Sequence, residues 1–528
     1  MKKIFKYTFV GLLAGGMLMT TSCSEDSLIT SPTSSMSGEG LLATGNAAQV
    51  ALNGVYREMY TAGWSTSGNT HQCFGITAYN LASEVMGEDF IMGAMGSGWF
   101  WFDCIYDVKD MYTRTTWRNY DLWNAYYKWI ANANYIIAAE ETMGGSTEDK
   151  NYAIGQAYAI RAYSYFMLAQ WFARTLVGHE SEACVPIYTE PTTPETKGNP
   201  RSTNAEVYAQ IDSDLEKALS MLKGIKPKHK SHLSYPVVLG IKSRVALVEN
   251  KWAEARDAAH EAIEASGCTI QGFKNDDFQS GKSNFINDVS FNNVMWGAEI
   301  ITDHVGMYAS LYSHMDYEGG IAYSNTAPKL WNKELYAKME PTDERRQWVK
   351  TGFTYKDQDG VATSGLLQEK FHFTNASTWM GDYIFMRVEE MYLNAAEAEC
   401  RLGNDAAAQE DLMALMSKRN PDYVCDKTGT ALGKTSAVAD ETGSLLEEII
   451  IQRRIELWGE AGRMYDLKRL KQGFRRTTAQ GWCETALLAN RPTDNPNNYM
   501  WVMTIPQTEF DGNVNMDASK DQNPLGDE

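Results

Sequence analysis

The densest chemistry in the chain lies in residues 444–474, SLLEEIIIQRRIELWGEAGRMYDLKRLKQGF. Arg453, Arg454 and Glu456 interrupt an apolar stripe of Leu446, Ile450, Leu457 and Ala461, and Glu460, Arg463 and Asp466 follow at helical spacing. Two readings fit. The charges form a solvated helix face with i,i+3 and i,i+4 pairs, or they form a packed Arg/Glu/Asp network, since charges this dense beside Ile and Leu must be paired if buried. Acidic pairs also occur at Glu88-Asp89 and Asp276-Asp277. Glycoside hydrolysis needs two carboxyls at a set separation, and adjacency in sequence does not supply it. Asp276-Asp277 equally suits a loop Ca²⁺ site completed by carbonyls; no other cofactor is expected. His229 and His232 stand three apart, a metal-compatible spacing on a helix, but in a Lys-rich turn. HExxH, GxSxG and GxxxxGK[ST] are all missing, and Gly96–Trp99 (GSGW) lacks the third glycine of a dinucleotide loop.

Binding without catalysis suits the composition better. Sugars present C–H faces that stack on Trp and Tyr, and hydroxyl edges that bond Asn, Asp, Arg and Gln. The aromatic fraction is 12%, with 15 Trp and 28 Tyr. The densest cluster is Trp99-Phe100-Trp101-Phe102-Asp103, preceded by glycines. Such a run alternates faces if extended, so at least one side of it belongs to the core.

Helices must position these residues. Ser444 suits an N-cap with Glu447 at the capping-box position, and Gly462 lies near a break, so 444–474 reads as a long helix followed by a shorter one. Residues 47–60 form an amphipathic helix with Val50, Val55 and Met59 on or near one face. Residues 119–141 and 151–173 form a helix pair with its turn at Met143-Gly144-Gly145, and Arg161 sits inside an apolar run. Residues 235–249 and 252–265, split by Asn250-Lys251 and carrying Ala253, Ala255 and Ala259 at packing positions, have the tetratricopeptide helix–turn–helix pattern. A second copy spans 383–417 with its turn at Gly403-Asn404, and 444–474 is another. Such units cannot bury their faces alone and must stack. Two long stretches, 61–112 and 267–381, lack a period; the second carries Trp296, Tyr308, Tyr312, Tyr317, Tyr323 and Trp331. Long irregular stretches in a compact protein often carry function.

The chain begins with a secretory signal, residues 1–22: Lys2, Lys3 and Lys6, an apolar run, then small residues. Cys23 follows directly, as in a lipobox, with Thr20 where Leu is usual. Cys23 is therefore expected to carry the lipid, with a Ser/Thr/Gly-rich tether over 23–44. No later segment supplies the roughly 20 apolar residues of a membrane helix, so the body is expected to be soluble and held by lipid alone. The formal charge of −19 argues against nucleic acid. The seven remaining cysteines show no CxxC and read as mostly buried thiols with at most a stray bridge.

The run RRIELWGEAGRMYDLKR resembles the ERR-x-EL-x-x-E-G-x-R-x-x-DLKR signature of the SusD/RagB-like family, with Gln452 where Glu is usual. Ile160-Arg161-Ala162-Tyr163 resembles the family's LRAyyyf motif. So do VPIYTEP…PRSTNAEVYAQIDSDLEKAL, RVEEMYLNAAEA, the terminal IPQTE and QNP with their family counterparts, in order along nearly the whole chain. The resemblance implies an all-α fold of tetratricopeptide-like repeats in a right-handed superhelical scaffold with long irregular loop insertions. It divides residues 45–528 into an N-terminal part to about 200, a repeat scaffold with the insertion 267–381, and a signature region 383–524. It implies a lipoprotein on the outer face of the outer membrane, where Ser24-Glu25-Asp26 resembles a surface-export signal. There it would capture oligosaccharide or polysaccharide as the lid of a SusC-like TonB-dependent barrel, without being an enzyme. An oligopeptide ligand and a surface glycan hydrolase are the alternatives. By region, the resemblance nominates Trp64, Trp99, Trp101, Trp296, Tyr308, Tyr312 and Tyr317 for the ligand, and it makes Arg161, Arg453, Arg454, Glu456, Glu460, Arg463 and Asp466 structural.

Overall fold

The helix Thr147–Phe172 shows how the sequence builds the scaffold. It is apolar or small on nearly every side and is buried from Tyr152 onward, as a helix without a polar face must be. Ser146 caps it by accepting from the Asp149 N–H, and Glu148 and Asp149 occupy the first turn, where the helix dipole favours anions. It packs against Gly45–Tyr60, Trp117–Ala138 and Asn204–Leu222. Gly155 permits the last contact, because a Cβ there would lie 2.8 Å from Leu222 Cγ. In Gly45–Tyr60 the buried face is Ala48, Leu52, Val55, Tyr56 and Met59; Val50 points to solvent. In this computed structural model the described residues are 38–63, 69–107, 117–272, 286–306, 308–320, 322–436, 442–460 and 462–525. The signal, Cys23, most of the tether, Trp64, Asp276, Asp277 and Ala461 lie outside them.

The repeat pairs are Tyr235–Val248 with Trp252–Ser266, and Val388–Arg401 with Asp405–Met416. Their turns use left-handed residues, Asn250 at φ 58° and Gly403 at φ 81°. Trp252–Ser266 packs on Val388–Arg401, which in turn packs on Leu445–Glu456. The pairs therefore stack across the large insertion. The fold is mostly helical, as the periodicity predicts.

The irregular stretches also contain small sheets. Phe90–Met92, Lys329–Trp331, Ala362–Gln368 and Val349–Lys356 form one antiparallel sheet in that order. It stitches the N-terminal irregular stretch to the central insertion. Val294–Ala298 pairs with Tyr383–Arg387. Several of these strands are buried at every position, so they lack the alternation that marks a strand in sequence.

The charges between 453 and 466 lie inside the protein as an ion-pair network rather than on a solvated face. Arg454 Nε and Nη2 hold both Asp89 oxygens at 2.8 and 2.6 Å, and Arg463 Nη2 reaches Glu88 at 3.0 Å. Glu456 accepts from Arg387 at 3.0 Å and from Arg419 at 2.9 Å. Glu460 takes both arms of Arg387 at 2.7 Å, and Arg453 binds Asp466 at 2.8 Å. Burial alone would raise the Glu456 pKa, but Arg419 and Arg387 overcome it and hold the carboxyl well below its usual range. Arg161 grips Asp214 in the same bidentate way, at 2.8 and 2.7 Å, and reaches Asn134 at 2.8 Å. Ser444 caps Leu445–Glu456 through the Glu447 N–H. The break before Arg463–Leu470 uses Gly459 and Gly462, both at positive φ.

Candidate ligand-binding site

Four rings from the two irregular stretches meet at the surface. His71 stacks with Trp99 (centroids 5.1 Å apart, 23° between planes) and with Tyr308 (5.9 Å, 11°). Tyr323 touches all three, at 5.7 Å from His71, 5.9 Å from Trp99 and 5.1 Å from Tyr308. Its hydroxyl is hydrogen-bonded to His71 Nδ1. Tyr308 is 37% exposed and the other three are half-buried. Each ring thus keeps part of its surface toward solvent.

Buried polar groups hold this cluster from below. Arg118, fully buried, binds Asp103 through Nε at 2.8 Å and Nη2 at 3.0 Å. It also reaches Gln72 Oε1 at 3.1 Å and the Gln72 carbonyl at 3.3 Å. Gln72 Oε1 accepts the Phe100 N–H at 2.8 Å. One arginine therefore joins the turn that carries His71 to the turn that carries Trp99. Between them Phe100 adopts φ 62°, a left-handed conformation uncommon for an aromatic residue. His314 supports the other side. It is hydrogen-bonded through Nε2 to the His71 carbonyl at 2.9 Å and stacks on Tyr323 (5.2 Å) and Phe74 (5.7 Å). Burial pushes its pKa down to about 3, so the imidazole is neutral.

The nominated residues divide three ways. Trp99 and Tyr308 belong to the cluster. Tyr317 is half-buried and packs edge-on against Phe353, at 4.9 Å. Trp101, Trp296 and Tyr312 are interior, at 2%, 1% and 1% exposure, which corrects their nomination as ligand contacts. The run 99–102 is a turn entering the short helix Trp101–Cys104, so Trp99 faces out and Trp101 in. Trp296 sits in a buried strand, wedged against Tyr163 and Phe385, and donates to the Ser231 carbonyl at 3.0 Å. Tyr312 donates its hydroxyl to the carbonyls of Ile286 and Asp382. The sequence reading did not nominate His71 and Tyr323. A histidine in an aperiodic stretch carries no signal by itself, and Tyr323 is one aromatic among several in the insertion.

Among the described residues, Glu88-Asp89 and the pair His229 and His232 are held by structural partners. Glu88 and Asp89 are ion-paired with Arg454 and Arg463. His232 stacks on Tyr56 and bonds the Tyr152 hydroxyl, while His229 bonds Ser231. Among the described residues no group of three or more His, Cys, Asp and Glu is placed to hold a metal ion. The seven cysteines from Cys73 to Cys483 are free thiols, most of them buried.

Two family models match the chain. One, described as "Starch-binding associating with outer membrane" (SusD-like), matches residues 77–247, and the SusD family model matches 301–525. The chain belongs to the SusD/RagB-like family. Solved structures agree in fold. A SusD-like carbohydrate binding protein from Bacteroides vulgatus superposes with a TM-score of 0.73 at 24% identity, over 90% of this chain and 97% of that one. A SusD superfamily protein from Bacteroides thetaiotaomicron gives 0.70 at 25% identity, over 91% and 100%. Surface glycan-binding protein A from Bacteroides uniformis gives 0.61 at 17%, over 91% and 100%. Comparison with curated proteins gave no match. In this family member the signature residues clamp the last helices to the scaffold, while the exposed rings lie on the insertions.

Proposed function

We propose that the protein is a cell-surface lipoprotein that binds oligosaccharide or polysaccharide and passes it to a SusC-like TonB-dependent outer-membrane barrel, over which it acts as a lid. The observation that carries this reading is the convergence of Trp99, His71, Tyr308 and Tyr323 from two separate insertions into one partly exposed surface. Flat rings with exposed faces suit the C–H faces of sugars, and their rigid side chains lose little entropy on binding. Family membership and the carbohydrate-binding relatives support the same ligand class. The role is retention rather than chemistry: holding ligand beside a pore raises its local concentration. Attachment through lipid on Cys23 belongs to this reading, and among the described residues no helix is long and apolar enough to cross a membrane.

The test is calorimetry against a panel of glucose, xylose, mannose and galactose hexaoses, with oligopeptides in parallel. At least one hexaose is expected to bind, and Trp99→Ala to weaken it roughly tenfold or more, as for a central aromatic anchor. Binding of peptides alone would transfer the site to the oligopeptide alternative, and unchanged binding in Trp99→Ala would remove the site. Release of reducing ends by the purified protein would show a hydrolase. Cys23→Ala is expected to leave the membrane fraction.

A further inference from the structure

His71 is the imidazole of the cluster, with two ring nitrogens on its edge. Nδ1 is committed to Tyr323, and the backbone carbonyl to His314. Nε2 makes no hydrogen bond to any described residue. The Tyr323 phenol, which can donate, faces Nδ1. When the phenol donates to Nδ1, the imidazole carries its own proton on Nε2.

We propose that His71 is the specificity-determining residue of this surface: its Nε2–H, set among the faces of Trp99, Tyr308 and Tyr323, donates a hydrogen bond to a hydroxyl oxygen of a neutral sugar stacked there. The inference rests on the binding reading above. A neutral N–H suits a hydroxyl, whereas a carboxylated or sulfated sugar calls for arginine or lysine. The arginine beneath the cluster, Arg118, is already committed to Asp103 and Gln72. The aromatic faces would accept many sugars, because every pyranose has an apolar face. A fixed donor beside them distinguishes one hydroxyl position from another.

The probe is the tightest-binding neutral hexaose of the panel together with its monodeoxy analogues. Wild type is expected to bind one deoxy analogue about fivefold more weakly than the parent, the worth of one neutral hydrogen bond. His71→Phe keeps a ring against Trp99 and Tyr308, and is expected to bind the parent and that analogue equally. Should His71→Phe fold poorly, wild-type NMR gives the same answer: the His71 Nε2 resonance, in the Nε2–H tautomer, is expected to shift with the parent hexaose and not with that analogue. Equal discrimination by wild type and His71→Phe overturns the proposal, as does a His71 resonance with the proton on Nδ1. Trp99→Ala separates the two claims. If it abolishes binding while His71→Phe discriminates normally, only the His71 role fails; if Trp99→Ala binds normally, the site itself fails.

Discussion

Phe100 pays a backbone penalty so that Trp99 can face outward. A non-glycine residue at φ 62° costs on the order of 1 kcal/mol, and it persists because Gln72 accepts its N–H while being held by Arg118. Gln72→Ala removes that acceptor and leaves a buried N–H and a buried guanidinium short of a partner. The expected loss is ~2–3 kcal/mol of stability, read by urea unfolding, with a weaker hexaose affinity because Trp99 and His71 lose their common anchor. At this scale the sequence was partly legible. Trp99 and Tyr308 could be nominated from residue type and region. The same criteria selected Trp101, Trp296 and Tyr312, because a tryptophan reads alike whether it faces a sugar or Tyr163. Only the turn geometry at 96–100, set by glycines at positive φ and by contacts remote in sequence, separates Trp99 from Trp101.

The helices were the most legible elements, since most carry apolar residues at helical spacing and the two repeat turns hold a left-handed residue, Asn250 and Gly403. The short strands were not, because all-buried runs have no alternation to detect. What joins the two classes is the charge network. Glu88 and Asp89 directly precede the strand Phe90–Met92, and they are gripped from Leu445–Glu456 and Arg463–Leu470. Glu456 occupies the centre, facing Arg387, Arg419 and Arg345. Glu456→Gln leaves three buried guanidinium groups around a neutral amide. A loss of about 3–5 kcal/mol is expected, as for breaking a buried pair from one side. Chemical denaturation reads it, and a protein that unfolds at the wild-type midpoint would show that the network adds nothing. Arg475→Ala, at an exposed pair with Asp494, is the contrast: well under ~1 kcal/mol is expected.

Over the whole molecule, buried neutral histidines lower stability on mild acidification. His232 stacks on Tyr56 and bonds the Tyr152 hydroxyl, and burial, with His229 and Lys228 nearby, pushes its pKa down to about 4. Above pH 6.5 it is neutral folded or unfolded and costs nothing. As pH falls from about 6.5 towards 4 the unfolded chain takes up a proton that the folded one refuses, so stability is lost on acidification. At about pH 5 the loss from this residue is roughly 1–2 kcal/mol, and His314 adds to it in the same direction. His372 works oppositely. Burial opposes its charge, but Asp316 and Glu369 raise its pKa to about 9, so its contribution is full below about pH 6.5 and fades as pH rises through 9. His232→Gln offers Tyr152 a polar partner and removes the titration. Its melting temperature is expected to fall less than wild type's between about pH 7.5 and 5. His372→Gln is expected to cost most near pH 6 and least near pH 10. If both variants track wild type in parallel across that range, the histidines contribute nothing to it; the Glu456 carboxyl, held well below its usual range by Arg419 and Arg387, then adds acid sensitivity only below about pH 4.5, and Glu456→Gln is expected to flatten the stability curve there.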